Sequence, residues 1–282
     1  VVLASLARIP SIFLMVYLGD AISDGNLVKS LIILTVAAVI GLVGIMFKDK
    51  VMPDYGDRRA VKGRDTFVFD LDGTLLNTLT DLTIATNYAL GKNGFEKRTE
   101  DQVRKAVGNG VGLLIERSIP DGRKNPKFDI TLSDFKKYYG EHCRDNTTPY
   151  KGIKELLSGL SERGYKLAIV SNKVDFAVKE LCADFFPEVP VAIGESEGVK
   201  RKPAPDSVLA ALKTLGSTHE KTVYVGDSDV DIQTARNAGT SCISVTWGFR
   251  SAAFLNANGA TALADSPEEI LALVDDKNEN NK

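Results

Sequence analysis

The stretch "FVFDLDGTLLNT", Phe67 to Thr78, joins a short apolar run to two carboxylates one residue apart. Phe67, Val68 and Phe69 read as a buried strand. Asp70 and Asp72 then bring two negative charges to its end. Burying charge is costly unless it is paired or bound to a metal. The strand is therefore expected to end at a polar site, not inside a dry core. Asp72-Gly73 by itself marks only a turn.

Outward from this stretch, strands and helices alternate. Strands are expected at 66–69, 166–170, 189–193, 222–225 and 241–245, each short, apolar and rich in Val and Ile. Ile153, Leu156, Leu157 and Leu160 repeat at helical spacing and stop at Gly164, and Val208, Ala211, Leu212 and Leu215 do the same before Gly216. Ser266-Pro267-Glu268-Glu269 reads as a capping box opening the last helix. This alternation predicts an α/β fold, a doubly wound Rossmann-like parallel sheet whose ligands bind at the carboxyl ends of the strands. Residues 84–149 carry no convincing strand, but Thr99-Glu100-Asp101-Gln102 is a second capping box, so a helical cap is expected there. The layout is a core of 65–83 and 150–275, a cap of 84–149 and a disordered tail of 276–282.

Several strand ends release polar residues into loops. "KLAIVSNK" (166–173) supplies Ser171 and Asn172, and "TVYVGDSDVD" (222–231) supplies Asp227, Asp229 and Asp231. "GVKRKPAPD" (198–206) adds Lys202 before a helix. Each piece is weak alone. "DSDVDI" imitates the start of a calcium loop, but Ile232 and Ala238 occupy its sixth and twelfth positions. "GNGVG" at 108–112 is not a nucleotide-binding loop. The formal net charge of -2 gives no electrostatic reason to expect nucleic acid. The three cysteines show no zinc spacing, and neither His142 nor His219 lies near a strand end.

Taken in order, "DLDGTLLNT", "VSN", the Lys202-Pro203 pair and "GDSDVD" resemble the four motifs of the haloacid dehalogenase superfamily. "VGNGVGLLIERSIPD", "KRKPAPD" and "VTWGF" resemble its phosphoglycolate phosphatase branch, and the likeness runs along residues 65–275. The resemblance implies a phosphatase in which Asp70 is the nucleophile and Asp72 the general acid and base. It implies Mg²⁺ held by Asp70, Asp227 and the backbone carbonyl of Asp72. Ser171, Asn172 and Lys202 are implied to bind phosphate, with Asp231 and Thr74 supporting the site. Cap residues Asn109 and Arg117 are candidates for substrate choice, with a solvated helix charge as the alternative for Arg117. The implied substrate is a small phosphorylated metabolite, 2-phosphoglycolate first, with pyrophosphate or a sugar phosphate (phosphatase or phosphomutase) as alternatives.

The amino-terminal residues differ in character. Residues 30–47, "SLIILTVAAVIGLVGIMF", carry no charge and read as a transmembrane helix, a buried core helix being the alternative. Six basic residues between Lys48 and Arg64 place the remainder of the chain on the cytoplasmic side of the membrane, joined through a linker at 48–64. "LARIPSIFLMVYLGD" (6–20) and the span resemble the carboxyl end of DedA/TVP38-type membrane proteins. The chain opens on Val1, so residues 1–47 read as part of a longer membrane domain, or as two neighbouring genes joined by error. A membrane transport or lipid-handling protein with a regulatory phosphatase-like domain is the alternative of another class. Oligomeric state is not legible in the sequence.

Overall fold

Strand β1 (Thr66–Phe69) is buried along its whole length and lies in the middle of the sheet. The computed structural model describes residues 58–279, together with Val28 and Thr35. The chain divides into two compact units, Val1–Met52 and Pro53–Lys282. The second holds the sheet. A two-residue strand β2 (Leu76–Asn77) follows β1, and four helices come next: α1 (Leu79–Lys92), α2 (Glu100–Ala106), α3 (Val111–Ser118) and α4 (Phe128–His142). The chain returns through β3 (Thr148–Pro149), α5 (Ile153–Glu162) and β4 (Lys166–Val174). Then come α6 (Asp175–Phe185), β5 (Val191–Glu195), α7 (Asp206–Leu215), β6 (Thr222–Gly226), α8 (Asp229–Ala238) and β7 (Ser241–Val245). Helix α9 (Ala252–Ala257), β8 (Leu263–Ala264) and α10 (Pro267–Glu279) close the fold.

The main sheet runs β5-β4-β1-β6-β7-β8, with every pairing parallel. The pleat sends alternate side chains of β1 to opposite faces. Phe67 and Phe69 pack with Leu156, Leu160 and Ile270, from α5 and α10, while Val68 packs with Val208, Leu212 and Ala235, from α7 and α8. Both faces of the sheet are thus covered, which is why its strands read as continuous apolar runs. Burying each of these large side chains contributes about 1.5–3 kcal/mol.

Helices α1 to α4 form a separate apolar cluster that includes Leu82, Leu90, Leu114, Ile115 and Phe135. The cap helices therefore have a core of their own, and it begins at Leu79. The chain leaves the sheet along β2 and returns along β3, and these pair antiparallel, Leu76 with Pro149 and Asn77 with Thr148. Buried Asp81, at the start of α1, accepts bonds from Asn146 N and Nδ2 and from Thr147 Oγ1 at 2.8–3.0 Å. Both ends of the cap are thereby fastened together at its base.

Strand boundaries differ from the sequence expectation at β4, at β5 and, by one residue, at β6, which runs to Gly226. β4 continues past Val170 to Val174 through a register irregularity against β5, so Ser171 lies within the strand and not beyond it. β5 begins at Val191, two residues late. Pro190 has no N–H for the ladder, and Val189 N instead closes a turn on Phe186 O at 3.0 Å. At α10, the return bond of the expected capping box is shifted by one residue: Glu269 Oε2 accepts from Asp265 N at 2.8 Å, not from Ser266 N. Among the described residues no helix is long and apolar enough to cross a membrane. The expected span at 30–47, the DedA-like stretch and most of the 48–64 linker lie outside the described residues.

Candidate active site

The register of three adjacent strands assembles the site. Phe69 of β1 pairs with Ile169 of β4 on one side and Val225 of β6 on the other. Asp70 N then donates to Val225 O at 2.9 Å, so β1 holds its register one residue further. Asp70, Asp72 and Asp227 consequently leave the sheet at one level, beside Ser171, which is still inside β4. This is the carboxyl edge of a parallel sheet, where chain order reverses about β1 and ligand crevices form.

Lys202, from the loop before α7, enters this cluster from the side. Its Nζ lies 2.7 Å from Asp70 Oδ1 and 2.8 Å from Asp231 Oδ1. Burial would push the ammonium down, but Asp231 and Asp70 outweigh it and hold Lys202 above the ordinary lysine range. Asp231 is fully engaged: Oδ1 also accepts from Tyr224 OH at 2.9 Å, and Oδ2 accepts from Ser228 N at 3.1 Å and Ser228 Oγ at 2.5 Å. Its place at the start of α8 lets one carboxylate both cap that helix and orient Lys202.

Asp70, Asp227 and Asp231 each offer an oxygen, all within 4.8 Å of one another. Lys202 meets Asp70 and Asp231, whereas Asp227 accepts a bond from Phe249 N at 2.6 Å. Burial, then repulsion from Asp231, pushes Asp70 up to about 7. Burial, then Asp231 and Asp70, raises Asp227 well above the carboxylate range. An excess of buried negative charge on hard oxygen donors suits a divalent cation such as Mg²⁺. The backbone around it is tightly fitted. Gly73 has φ +88, and a Cβ there would lie 2.5 Å from Asp227 Oδ2. A Cβ on Gly248 would meet Gly73 O at 2.3 Å.

Above these charges lies a cavity of about 70 Å³. Its floor is Asp70, Asp72, Ser171, Lys202 and Asp227. Its roof is Leu82, Val107, Val111, Leu114 and Tyr139 from the cap, with Phe249 and Arg250 between. Arg250 donates to Arg104 O at 2.7 Å and Val107 O at 2.6 Å, tying the loop after β7 to the cap backbone.

The structure thus gathers Asp70, Asp72, Ser171, Lys202 and Asp227, with Asp231 adjoining. Asn172 lines the cavity, but its amide is occupied: Nδ2 donates to Lys202 O at 3.0 Å, and Oδ1 accepts from Lys202 N at 2.8 Å. It therefore holds the Lys202 loop and has its amide committed before any phosphate arrives. Thr74 is buried, and its carbonyl accepts from Trp247 Nε1 at 2.9 Å. Two expected cap residues do not reach the cavity. Arg117 is exposed and donates to Ala106 O at 2.9 Å, closing a contact inside the cap. Asn109 faces an outer cleft, while its neighbours Gly108 and Gly110 line the cavity.

Sequence reasoning passed over Lys173, whose Nζ sits 3.1 Å from Asp72 Oδ1. It stands two residues after Ser171, the spacing that keeps side chains on one face of a strand, so extending β4 would have found it. Tyr139 carried no such signal, and Phe249 lies in the "VTWGF" stretch that carries the resemblance without a role of its own.

A family model described as haloacid dehalogenase-like hydrolase matches residues 67–245. A phosphoglycolate phosphatase from Aquifex aeolicus is 32% identical over 213 residues, 74% of this chain and 95% of that protein. An N-acetylmuramic acid 6-phosphate phosphatase from Pseudomonas aeruginosa is 29% identical, over 74% of this chain and 93% of that one. A solved structure from Lactobacillus delbrueckii subsp. bulgaricus, provisionally named phosphoglycolate phosphatase, superposes with a TM-score of 0.72 at 38% identity. It covers 74% of this chain and 98% of its own.

Proposed function

The chain belongs to the haloacid dehalogenase-like hydrolases, and from that premise we propose that it is a Mg²⁺-dependent phosphatase of small phosphate monoesters, with 2-phosphoglycolate as substrate. The meeting of Asp70, Asp72 and Lys202 on the floor of one covered cavity carries this reading.

Asp70 attacks phosphorus through a carboxylate oxygen, forming the aspartyl-phosphate as the ester P–O bond breaks. The electron pair passes to the leaving oxygen, which takes a proton from Asp72. Asp72 then accepts a proton from water, the water oxygen bonds to phosphorus, and the bond to Asp70 breaks to release phosphate. Lys202 and Ser171 receive the phosphoryl oxygens, and the Lys202 ammonium offsets the charge that builds on them. Asp231 and Tyr224 hold that ammonium in place.

Asp70, Asp227 and the backbone carbonyl of Asp72 would hold Mg²⁺, which polarises the phosphoryl group and screens it from the attacking carboxylate. Asp231, with both oxygens already bonded, supports these ligands from behind. The apolar roof reduces bulk water around the charges, which strengthens their interactions with the phosphoryl group.

The small cavity favours a compact substrate such as 2-phosphoglycolate. The N-acetylmuramic acid 6-phosphate relative supports a sugar phosphate as the second choice. Phosphate release by the purified chain with Mg²⁺ on 2-phosphoglycolate, sugar phosphates and pyrophosphate separates them. No release from any monoester overturns the reading. Attachment to the cytoplasmic face of a membrane through residues 30–47 is a separate proposal, tested by whether the full chain sediments with membranes.

A further inference from the structure

Lys173 has no part in the scheme above, yet it touches two groups that matter to it. Its side chain is 6% exposed. One neighbour is Asp72, with Nζ to Oδ1 at 3.1 Å. The other is Tyr139 of α4, whose hydroxyl lies 2.5 Å from Nζ and whose ring centroid lies 4.5 Å away. Lys173 comes from β4 and Asp72 from the loop after β1, whereas Tyr139 belongs to the apolar cluster of the cap. A single ammonium therefore bridges the proton-transfer carboxylate and the cap.

Each contact constrains the other. A buried ammonium needs its partners, since leaving it unsatisfied costs the full desolvation of a charge. With the cap seated, Lys173 is boxed in by the Tyr139 hydroxyl and ring, and it fixes Asp72 Oδ1. Oδ2 then lies 3.5 Å from Ser171 Oγ, on the cavity floor where a leaving oxygen would sit. Were the cap to lift, Tyr139 would leave Lys173, which would open to water and free Asp72 to rotate. The Lys173 backbone adds rigidity, because its N–H donates to Ser171 Oγ at 3.1 Å.

We propose that Lys173 is a positioning residue that couples seating of the cap, through Tyr139, to the orientation of the Asp72 carboxylate. The proposal rests on the proton-transfer role given to Asp72 above. Proton transfer to the leaving oxygen, and from the attacking water, then becomes efficient only when the roof is closed over substrate.

The test compares wild type, Lys173→Met, Tyr139→Phe and the double variant on an alkyl phosphate and on p-nitrophenyl phosphate. Lys173→Met is expected to lower kcat on the alkyl ester by up to about 10²-fold, within the range of general acid–base catalysis, with KM changed by less than about threefold. Tyr139→Phe, which keeps the ring, should lower kcat about fivefold, and the double variant should be no slower than Lys173→Met, as expected for residues acting as one unit. The nitrophenolate leaving group needs no proton, so its pre-steady-state burst should survive while steady-state turnover slows. A purely structural role would slow both alike. Should Lys173→Met fold poorly, Tyr139→Phe and the leaving-group comparison still decide. A rise in KM alone would make Lys173 a substrate contact and overturn the coupling, as would an unaffected Tyr139→Phe. Wild type without turnover overturns the phosphatase reading and the coupling with it. Wild-type turnover with unmoved variants overturns the coupling alone.

Discussion

Lys202 Nζ lies 2.7 Å from Asp70 Oδ1, an ion pair buried beneath the cap and built from two distant parts of the chain. The same ammonium meets Asp231, so one cation serves two carboxylates while Asp227 lies close by. Three carboxylates thus share one buried ammonium, which leaves the cluster with an excess of negative charge.

Replacing Asp70 separates turnover from stability. Asp70→Asn should lower turnover by at least about 10³-fold, as loss of a nucleophile does. It also removes one charge from a mutually repelling buried set. The metal-free variant should therefore melt no lower than wild type, and phosphate release with thermal melting checks both.

Lys202→Met should behave in the opposite way. It strands Asp70 and Asp231 without their cation, and breaking a buried pair costs about 3–5 kcal/mol. Urea unfolding in the absence of Mg²⁺ should show that loss alongside loss of turnover. Unchanged stability would mean that protonation of Asp70 already relieves the site.

Gly73→Ala tests the fit around the proposed cation site. The new Cβ would press on Asp227 Oδ2, at a φ of +88 that side chains rarely adopt. The Mg²⁺ concentration for half-maximal activity should rise at least about tenfold, as for disturbed groups around a metal. Titrating activity with Mg²⁺ measures it.

Asp81 anchors the base of the cap and does not itself line the cavity. Asp81→Ala leaves Asn146 N and Thr147 Oγ1 without their acceptor, costing about 2–4 kcal/mol for charged hydrogen bonds lost from a buried site. Denaturant unfolding should show the loss, and amide exchange should quicken at the β2–β3 pair.

Arg117→Ala should leave kcat and KM within about twofold of wild type, because its guanidinium holds the Ala106 carbonyl and not the cavity. Steady-state kinetics on 2-phosphoglycolate decide it. A large rise in KM would return Arg117 to the substrate.

Much of this was legible in the chain itself. The apolar run at 67–69 followed by Asp70 and Asp72 marks a strand buried on both faces that ends in charge. An apolar run followed by polar residues at Ser171 and Asp227 marks the neighbours that meet it. Those signals are local, since alternation, capping and turn residues act over a few positions. Other features are not local. The late start of β5 follows from the missing N–H of Pro190, and the length of β4 follows from an irregular pairing with β5.

Sequence alone thus determined the five longer strands of the parallel sheet and the residues at its carboxyl edge, because burial and backbone bonding leave few alternatives to such patterns, whereas the two-residue strands β2, β3 and β8 carry no such pattern. Tertiary structure decided which charges pair. It gave Asp231 to Lys202, locked Asn172 onto the Lys202 backbone, turned Arg117 away, and brought Lys173 between Asp72 and Tyr139. Ion pairing depends on distances of a few ångströms between segments remote in sequence, and only the folded chain sets those distances.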